Sequence, residues 1–287
     1  MQKMSLMQRL ILGATVLCLT AIPIWIFFIV PDMSKMPGDY HLINLASVGR
    51  TRILDIQSNQ WKERMEKSDL QIRMMNVEKD VLILEVKNQA YDANTGKIIW
   101  EGSGKYGVNR KTRKNVAELG DRQRTDYFMF PQHVHKKDYR LWNYFVTEHA
   151  YTLKFEGVEK LYGLETYKFT YSGEPVDKTE YFPWVKGYHI RGDNKGTVWV
   201  EPTSGYLVKL QHGGINKLTD PFSHKIIKDF QVWNREFTEE TVINQVRYAQ
   251  NSKITIQVFE IIIPLFFGIL SLAFLFSILL TYRIRKR

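Results

Sequence analysis

Cysteine is almost missing from this chain. Its 287 residues include one, Cys18, inside an apolar run. Whatever folds outside that run is held by its own core, without disulfides. Asn-x-Ser/Thr sequons are missing too. Both absences point to a prokaryotic envelope protein rather than a secreted animal domain. The usual signatures of catalysis are also lacking. There is no G-x-S-x-G, no P-loop, no H-E-x-x-H and no nucleophile set beside a base, so no enzyme is expected. Acidic residues are absent from 1–9 and from 281–287, which carry Lys3, Arg9, Arg283, Arg285, Lys286 and Arg287.

What the chain does have is two long runs without charge. Ile261–Leu280 gives twenty such residues, and twenty helical residues cover ~30 Å, the thickness of a bilayer core. Residues 10–30 form a second run of spanning length. It is too long for a signal-peptide core, and no small-x-small cleavage site follows it. Cations flanking both runs predict both ends of the chain in the cytoplasm. The expected layout is a tail at 1–9, a transmembrane helix at 10–30, an extracytoplasmic domain at 31–260, a second transmembrane helix at 261–280 and a tail at 281–287. The layout expected is that of a two-pass plasma-membrane protein. The six terminal cations leave about +4 of the net +10 charge to the outer domain, a mildly basic surface suited to anionic headgroups or to ordinary solubility.

The outer domain reads as α+β, mainly β, with antiparallel strands. Tyr40–Ile56 alternates with period two, and Leu70–Met75 and Val81–Tyr91 are further strands. Gln60–Asp69 is polar and reads as a short helix or a loop. Asp92–Gly96 is a turn into Lys97–Glu101. Ala150–Tyr171 shows two alternating runs around Gly157 and Gly163 and reads as paired strands joined by a tight turn, and Gly196–Leu210 reads as a second hairpin turning at Glu201–Gly205. Thr238 can cap a juxtamembrane helix at 238–257, whose first turn holds Glu239 and Glu240.

Several clusters are candidate sites, each with a plainer reading. Gly102–Gly107 spells G-x-G-x-x-G but lacks the following helix of a dinucleotide site, so a glycine-rich strand or turn is expected. Asn109–Arg124 is rich in Lys and Arg, and Arg110 and Lys111 can hold an anionic group; a solvated basic loop is the plainer account. His133, His135 and Asp138 do not complete a metal set, and no metal or cofactor is expected. Aromatics cluster at Tyr139, Trp142 and Phe145. Phe182, Trp184 and Val185 form an apolar patch in an irregular loop, either core or the lip of an apolar site. The basic loop has too little aromatic interleaving for nucleic acid.

The order of soft motifs resembles the PorA-like porin family of two-span envelope proteins. The matching stretches are Val108–Thr112, Phe130-Pro131, Lys137–Trp142, Gly163–Phe169, Val198–Gly205 and Thr238–Ala249. The resemblance implies a β-rich extracytoplasmic domain between two anchors. It also implies involvement in envelope lipid or lipoglycan assembly, with an architecture likened to class B scavenger receptors and their apolar tunnel. Gly163, Trp199, Glu201, Pro202 and Gly205 fall on its motifs and are expected to be structural. The resulting expectation is a membrane-anchored envelope protein whose outer domain binds or transfers lipid or lipoglycan. The alternative is an accessory subunit of a larger membrane complex. Expected partners are membrane lipids and other membrane subunits, not nucleic acid.

Overall fold

The computed structural model describes residues 6–144 and 146–286. They divide into a strand-rich unit, Met36–Gln250, and a helical unit built from the two ends of the chain.

Among the described residues, the strand-rich unit holds twelve strands in one sheet: β1 His41–Asp55, β2 Gln60–Glu78, β3 Val81–Asp92, β4 Ile98–Asn109, β5 Tyr139–Asn143, β6 Val146–Leu161, β7 Leu164–Ser172, β8 Val176–Asp177, β9 His189–Gly192, β10 Lys195–Val200, β11 Leu207–Thr219 and β12 Ile226–Phe237. Their order is β4-β3-β2-β1-β12-β11-β10-β7-β6-β5, with β9 also on β11 and β8 on β9. Every strand pairing is antiparallel. The sheet curls, and the segment between its edge strands fills the seam. Val108 of β4 bridges Asn115, Lys114 bridges Tyr127, and Tyr127 bridges Leu141 of β5. A ladder of short contacts thus joins the two edges, which protects them from foreign strands.

The hairpins follow the turn chemistry of the sequence. Tyr162 and Gly163 both take positive φ, at 48° and 81°, as a two-residue turn between twisted strands requires. Asp92 accepts from the backbone N–H groups of Asn94 and Thr95 at 3.0 and 2.9 Å. The G-x-G-x-x-G stretch lies within β4, paired along β3. Its last glycine has a packing reason: a Cβ on Gly107 would come within 2.6 Å of the Leu119 Cβ and 2.9 Å of the Val116 carbonyl. The glycine lets the seam segment lie flat on the strand.

Gln60–Asp69 is neither helix nor loop. It is the first half of β2, paired residue by residue with β1 from Asp55–Gln60 to Leu45–Leu70. Its inward face is Arg64, Glu66 and Ser68, so the apolar alternation that marks a strand is missing there.

Inside the curl the main apolar core runs from Leu45, Ile72 and Leu84 to Phe128, Phe169 and Val200. A smaller cluster gathers Leu54, Phe182, Val185, Ile190, Leu218 and Phe230. Helix α3, Glu239–Gln257, adds Val242, Val246 and Ala249 to the main core. Thr238 caps it, accepting from the Thr241 N–H at 3.1 Å, while Thr241 Oγ1 donates to the Ala46 carbonyl of β1.

The helical unit contains α1, Leu6–Ile24, a π turn at Trp25–Ile29, α2, Val30–Met33, a second π turn at Val258–Ile262, and α4, Ile263–Lys286. Helical stretches long and apolar enough to cross a membrane are Leu6–Met33 and Glu239–Thr281. α1 and α4 pack antiparallel: Gln8 Nε2 lies 3.4 Å from Thr281 Oγ1, and Trp25 Nε1 donates to the Phe259 carbonyl at 2.8 Å. The Trp25 and Phe259 rings stack with centroids 5.9 Å apart. Thr15, Cys18 and Ser271 are buried, the small residues that let membrane helices approach.

Candidate ligand-binding cavity

Between the two apolar clusters the curled sheet borders a partly open hollow of about 600 Å³, within the usual range for small-molecule sites. Leu45, Leu70, Leu210 and Phe237 line it from the main core, and Phe182 from the smaller cluster. Three indoles, Trp100, Trp184 and Trp233, also border it. The rest of the wall is polar, with Arg64, Glu66, Asn88, Lys178, Asn194, His212, Asn216, Gln231 and Arg235.

The polar wall is built on adjacent strands. Gly49 of β1 stands opposite Glu66 of β2 on one side and Arg235 of β12 on the other, and His212 of β11 is paired with Arg235. Glu66 and Arg235 are therefore two strands apart, and they meet across the glycine. Arg235 Nη2 donates to Glu66 Oε2 at 2.5 Å, and Arg64 Nε to Glu66 Oε1 at 2.7 Å. A Cβ at position 49 would lie 2.7 Å from Arg235 Cγ and 1.9 Å from the Asn234 carbonyl oxygen. Burial raises the Glu66 pKa, but the two guanidiniums outweigh it and hold the carboxyl below its ordinary value. Burial, then the Arg235 charge, pushes His212 down to about 3, so its ring is neutral. Its partner in the wall is Trp233, edge-on at 5.2 Å. Lys178 donates to Asn194 Oδ1 at 2.8 Å, and Asn216 Nδ2 to Gln231 Oε1 at 2.7 Å. Among the described residues, Asn88 Oδ1, Asn216 Oδ1 and Arg235 Nε are buried without a hydrogen-bond partner.

A larger groove of about 1170 Å³ shares His212, Trp233 and Arg235 with this hollow. Its walls include Lys154, Glu156 and Thr170, which alternate with the core residues Leu153, Phe155 and Phe169. It is a trough in a charged outer surface. The smaller hollow, walled by side chains of both apolar clusters, three indoles and several charged and amide groups, is the better candidate site.

The structure separates the candidate residues. Phe182 and Trp184 border the hollow. Val185 is buried beside Phe182 in the smaller cluster. Tyr139 lies in the main core against Phe130 and Phe169, and its hydroxyl accepts from the His135 N–H at 2.9 Å. Trp142 is half-buried on β5, away from the hollow's wall. Phe145 lies outside the described residues. Arg110 Nε donates to the Met36 carbonyl at 2.7 Å, and Lys111 is exposed on the adjoining turn. The segment holding His133, His135 and Asp138 is not a strand. The His133 N–H donates to the Thr203 carbonyl, and Asp138 accepts from the Phe155 N–H at 3.2 Å. Nor is the basic segment wholly solvated: Arg113 and Arg124 are buried. Arg124 stacks on Tyr106 at 3.9 Å and pairs with Asp121.

A family profile described as Porin PorA matches residues 8–280. The chain belongs to the PorA porin family. No curated protein matches this PorA chain. Among solved structures, the 12:0-ACP thioesterase from Umbellularia californica is similar over 74% of this chain and 78% of its own, at 9% identity and a TM-score of 0.17. That superposition is too loose to carry an argument about fold or function.

The motif residues of this PorA chain form a clasp on the seam. Glu201, fully buried, accepts from the Ser204 N–H at 2.6 Å, the Ser204 hydroxyl at 2.7 Å and the Thr203 N–H at 3.1 Å. Gly205 takes φ +71°, and a Cβ there would strike the Pro131 carbonyl at 2.2 Å. The Pro202 carbonyl accepts from the Val134 N–H at 2.7 Å. Arg113 reaches into the clasp and donates to the carbonyls of Phe130 and Ser204 at 2.9 and 2.6 Å. Trp199 donates to Glu159 Oε2 at 2.7 Å on the neighbouring strands. Gly163 serves the β6–β7 turn already described. No sequence reasoning picked out Glu66, Arg235 or His212, because single polar residues in strands carry no motif.

Proposed function

We propose that this PorA-family protein is a two-pass envelope protein whose strand-rich unit lies outside the cell and binds an amphiphilic lipid, with both chain ends in the cytoplasm. The observation that carries the reading is the hollow inside the curled sheet. Its wall combines apolar side chains with amide and charged ones. Such a wall suits a molecule that is apolar at one end and hydrogen-bonding at the other. Burial of acyl chain would stabilise the complex by ~0.8 kcal/mol per methylene. The cations flanking both apolar runs support the orientation.

The family description speaks of a porin, and the strands speak against crossing the bilayer themselves. The outer face of β2 carries Glu63, Lys67 and Arg73, all exposed. Lys or Arg on the lipid face of a membrane barrel costs ~2–4 kcal/mol at mid-bilayer. Membrane attachment through the two terminal helices fits the sequence better.

The test is native mass spectrometry of the full chain released from nanodiscs of mixed native lipids. A retained lipid, lost when Trp184 and Trp100 are replaced by Ala, is the expected result. A protein that carries no lipid under conditions that keep it folded overturns the reading.

A further inference from the structure

The hairpin between β11 and β12 carries an apolar tip that stands in solvent. Phe222 is 92% exposed, Ile226 63% and Ile227 49%. Ile226 and Ile227 are successive residues of β12, so their side chains leave opposite faces of the strand, yet both are exposed. β1 accompanies β12 only from Gln231 to Phe237. Toward the turn, β12 runs beside β11, and the tip projects with solvent on both faces. The turn holds Phe222 outward. Asp220 Oδ1 accepts from the Phe222 and Ser223 N–H groups at 3.0 and 2.7 Å, and the Asp220 carbonyl from the His224 N–H at 2.9 Å. At the base, Lys228 Nζ donates to Asn59 Oδ1 at 2.8 Å and ties the hairpin to the β1–β2 turn. An aromatic ring kept in water by a pinned turn adds little to the fold, and an apolar cluster of this kind marks a contact surface.

Shape and charge select the partner. The tip is convex and apolar on both faces, so a protein partner would need a cleft that closes around it. A lipid interface is fluid and takes up a protruding ring without a matching shape. Lys225 is exposed beside the isoleucines, and Lys228 follows on the same strand. Their long arms can lie along apolar surface and still reach anionic headgroups. Of the neighbouring acids, Asp220 is taken up by the turn, and Asp229 stands opposite Lys217 in the strand register. Position in the unit selects which surface. Thr238, just past the other end of β12, is bonded to the Ala46 carbonyl, and there the chain passes into α3. The twelve residues of β12 separate the tip from that exit, about 40 Å of strand. We infer that the tip enters a lipid surface other than the bilayer that the terminal helices cross, with Phe222 and Ile226 in the headgroup layer. This surface is distinct from the hollow, and the inference does not depend on what fills the hollow.

The test holds the full chain in nanodiscs of phosphatidylcholine and adds separate vesicles of phosphatidylcholine and phosphatidylglycerol, which are then floated. Wild type is expected to float with the vesicles. Phe222→Asp and Ile226→Asp should each weaken the association about tenfold or more, as the loss of one apolar anchor requires. Phe222 is almost free of packing, so the melting curve of its variant should match wild type. Met75→Asp, on β2 and 61% exposed, should leave flotation unchanged. In a Cys18→Ser background, a polarity-sensitive dye on Ser223→Cys should brighten when vesicles are added and be quenched by nitroxide lipid within them. Quenching only by nitroxide lipid in the nanodisc would put the tip on its own bilayer and overturn the inference. So would wild type that does not float, or flotation that Phe222→Asp fails to reduce.

Discussion

Glu66 and Arg235 meet at 2.5 Å across the backbone of Gly49, on the strand that separates theirs. The Glu66 side chain is buried, 1% exposed, while Arg235 is 19% exposed. Its second guanidinium, Arg64, closes the other carboxylate oxygen. Removing one partner of such a group leaves the others buried and uncompensated. Glu66→Gln should cost ~3 kcal/mol of stability at pH 7, within the usual range for breaking a buried pair. The sign with pH follows from the depressed carboxyl pKa. The stabilisation is complete above the ordinary carboxylate value and fades as pH falls through the lower folded value. Melting curves of wild type and Glu66→Gln should therefore differ most near neutrality and converge in strong acid. A constant difference across pH would sink this account.

The glycine between them is a separate requirement. A methyl group at position 49 would lie 1.9 Å from the Asn234 carbonyl oxygen and 2.7 Å from Arg235 Cγ. The first contact is with backbone and cannot be relieved by a rotamer change, so the strand itself must shift. Gly49→Ala should cost at least the ~1–3 kcal/mol of an overpacked core. It should also loosen the ion pair, so that Gly49→Ala and Glu66→Gln combine less than additively. Additive losses in a double-mutant cycle by chemical denaturation would separate the two features.

The same row explains what was legible in the sequence. Val81–Tyr91 and the hairpins at Gly163 and Gly205 could be read because their inward residues are apolar or their turns need glycine. The Thr238 cap could be read from its following acids. Gln60–Asp69 could not, because the strand turns Arg64, Glu66 and Ser68 inward, and period-two hydrophobicity vanishes where a strand faces a polar hollow. The site was illegible for the same reason that its strand was. Phe182 and Trp184 were found because an apolar patch in a loop needs an explanation. The three residues that meet near Gly49 are far apart in the chain, and only strand register unites them. Arg113 was hidden differently: one buried guanidinium among exposed cations carries no local mark.

His212 gives the domain an acid-sensitive wall. Its folded pKa of about 3 lies below the ordinary value of 6.5. At pH 7 the folded ring is neutral and the unfolded one mostly so, and the slope is small. As pH falls below about 6.5 the unfolded chain takes up a proton that the folded chain refuses. Stability then drops by up to ~1.4 kcal/mol per pH unit from this group alone, until the folded ring titrates near 3. Stability curves from pH 7 to 4 should be flatter for His212→Asn than for wild type. Parallel curves would show that another group governs the acid limb.

Arg113 ties the seam segment to the Glu201–Gly205 turn through two backbone carbonyls. Arg113→Ala strands both acceptors in a buried place and leaves a void where the guanidinium lay. Each unsatisfied carbonyl costs ~1–3 kcal/mol, so a loss of ~2–5 kcal/mol is expected. The damage should be local before it is global. Limited proteolysis should cut residues 114–138 in the variant at a protease dose that spares wild type. Both bonds leave one nitrogen, Nη1, so Lys, whose ammonium carries three donors, should rescue in part, whereas Met, which fills space without a donor, should not. Full rescue by Met would mean that packing, and not the two directed hydrogen bonds, holds the turn.

The helical unit makes a prediction about the ends of the chain. Gln8 lies 3.4 Å from Thr281 at one end of the antiparallel pair, and Trp25 hydrogen-bonds to Phe259 at the other. Gln8 and Thr281 therefore lie at the same end of the helix pair. With Cys18, the lone native thiol, replaced by Ser, the double variant Gln8→Cys with Thr281→Cys should form a disulfide in intact membranes under mild oxidation. Gln8→Cys combined with Phe259→Cys should not, because Phe259 sits at the far end of the pair. Phe replacing Trp25 keeps a ring for the stack and loses the indole donor, at ~1 kcal/mol for one hydrogen bond. It should leave the cross-link between positions 8 and 281 in place, whereas Trp25→Ala removes both stack and bond and should slow its formation. A cross-link that forms equally well from position 8 to both ends of α4 would mean that the helices have no fixed register, and the antiparallel pair would have to be abandoned.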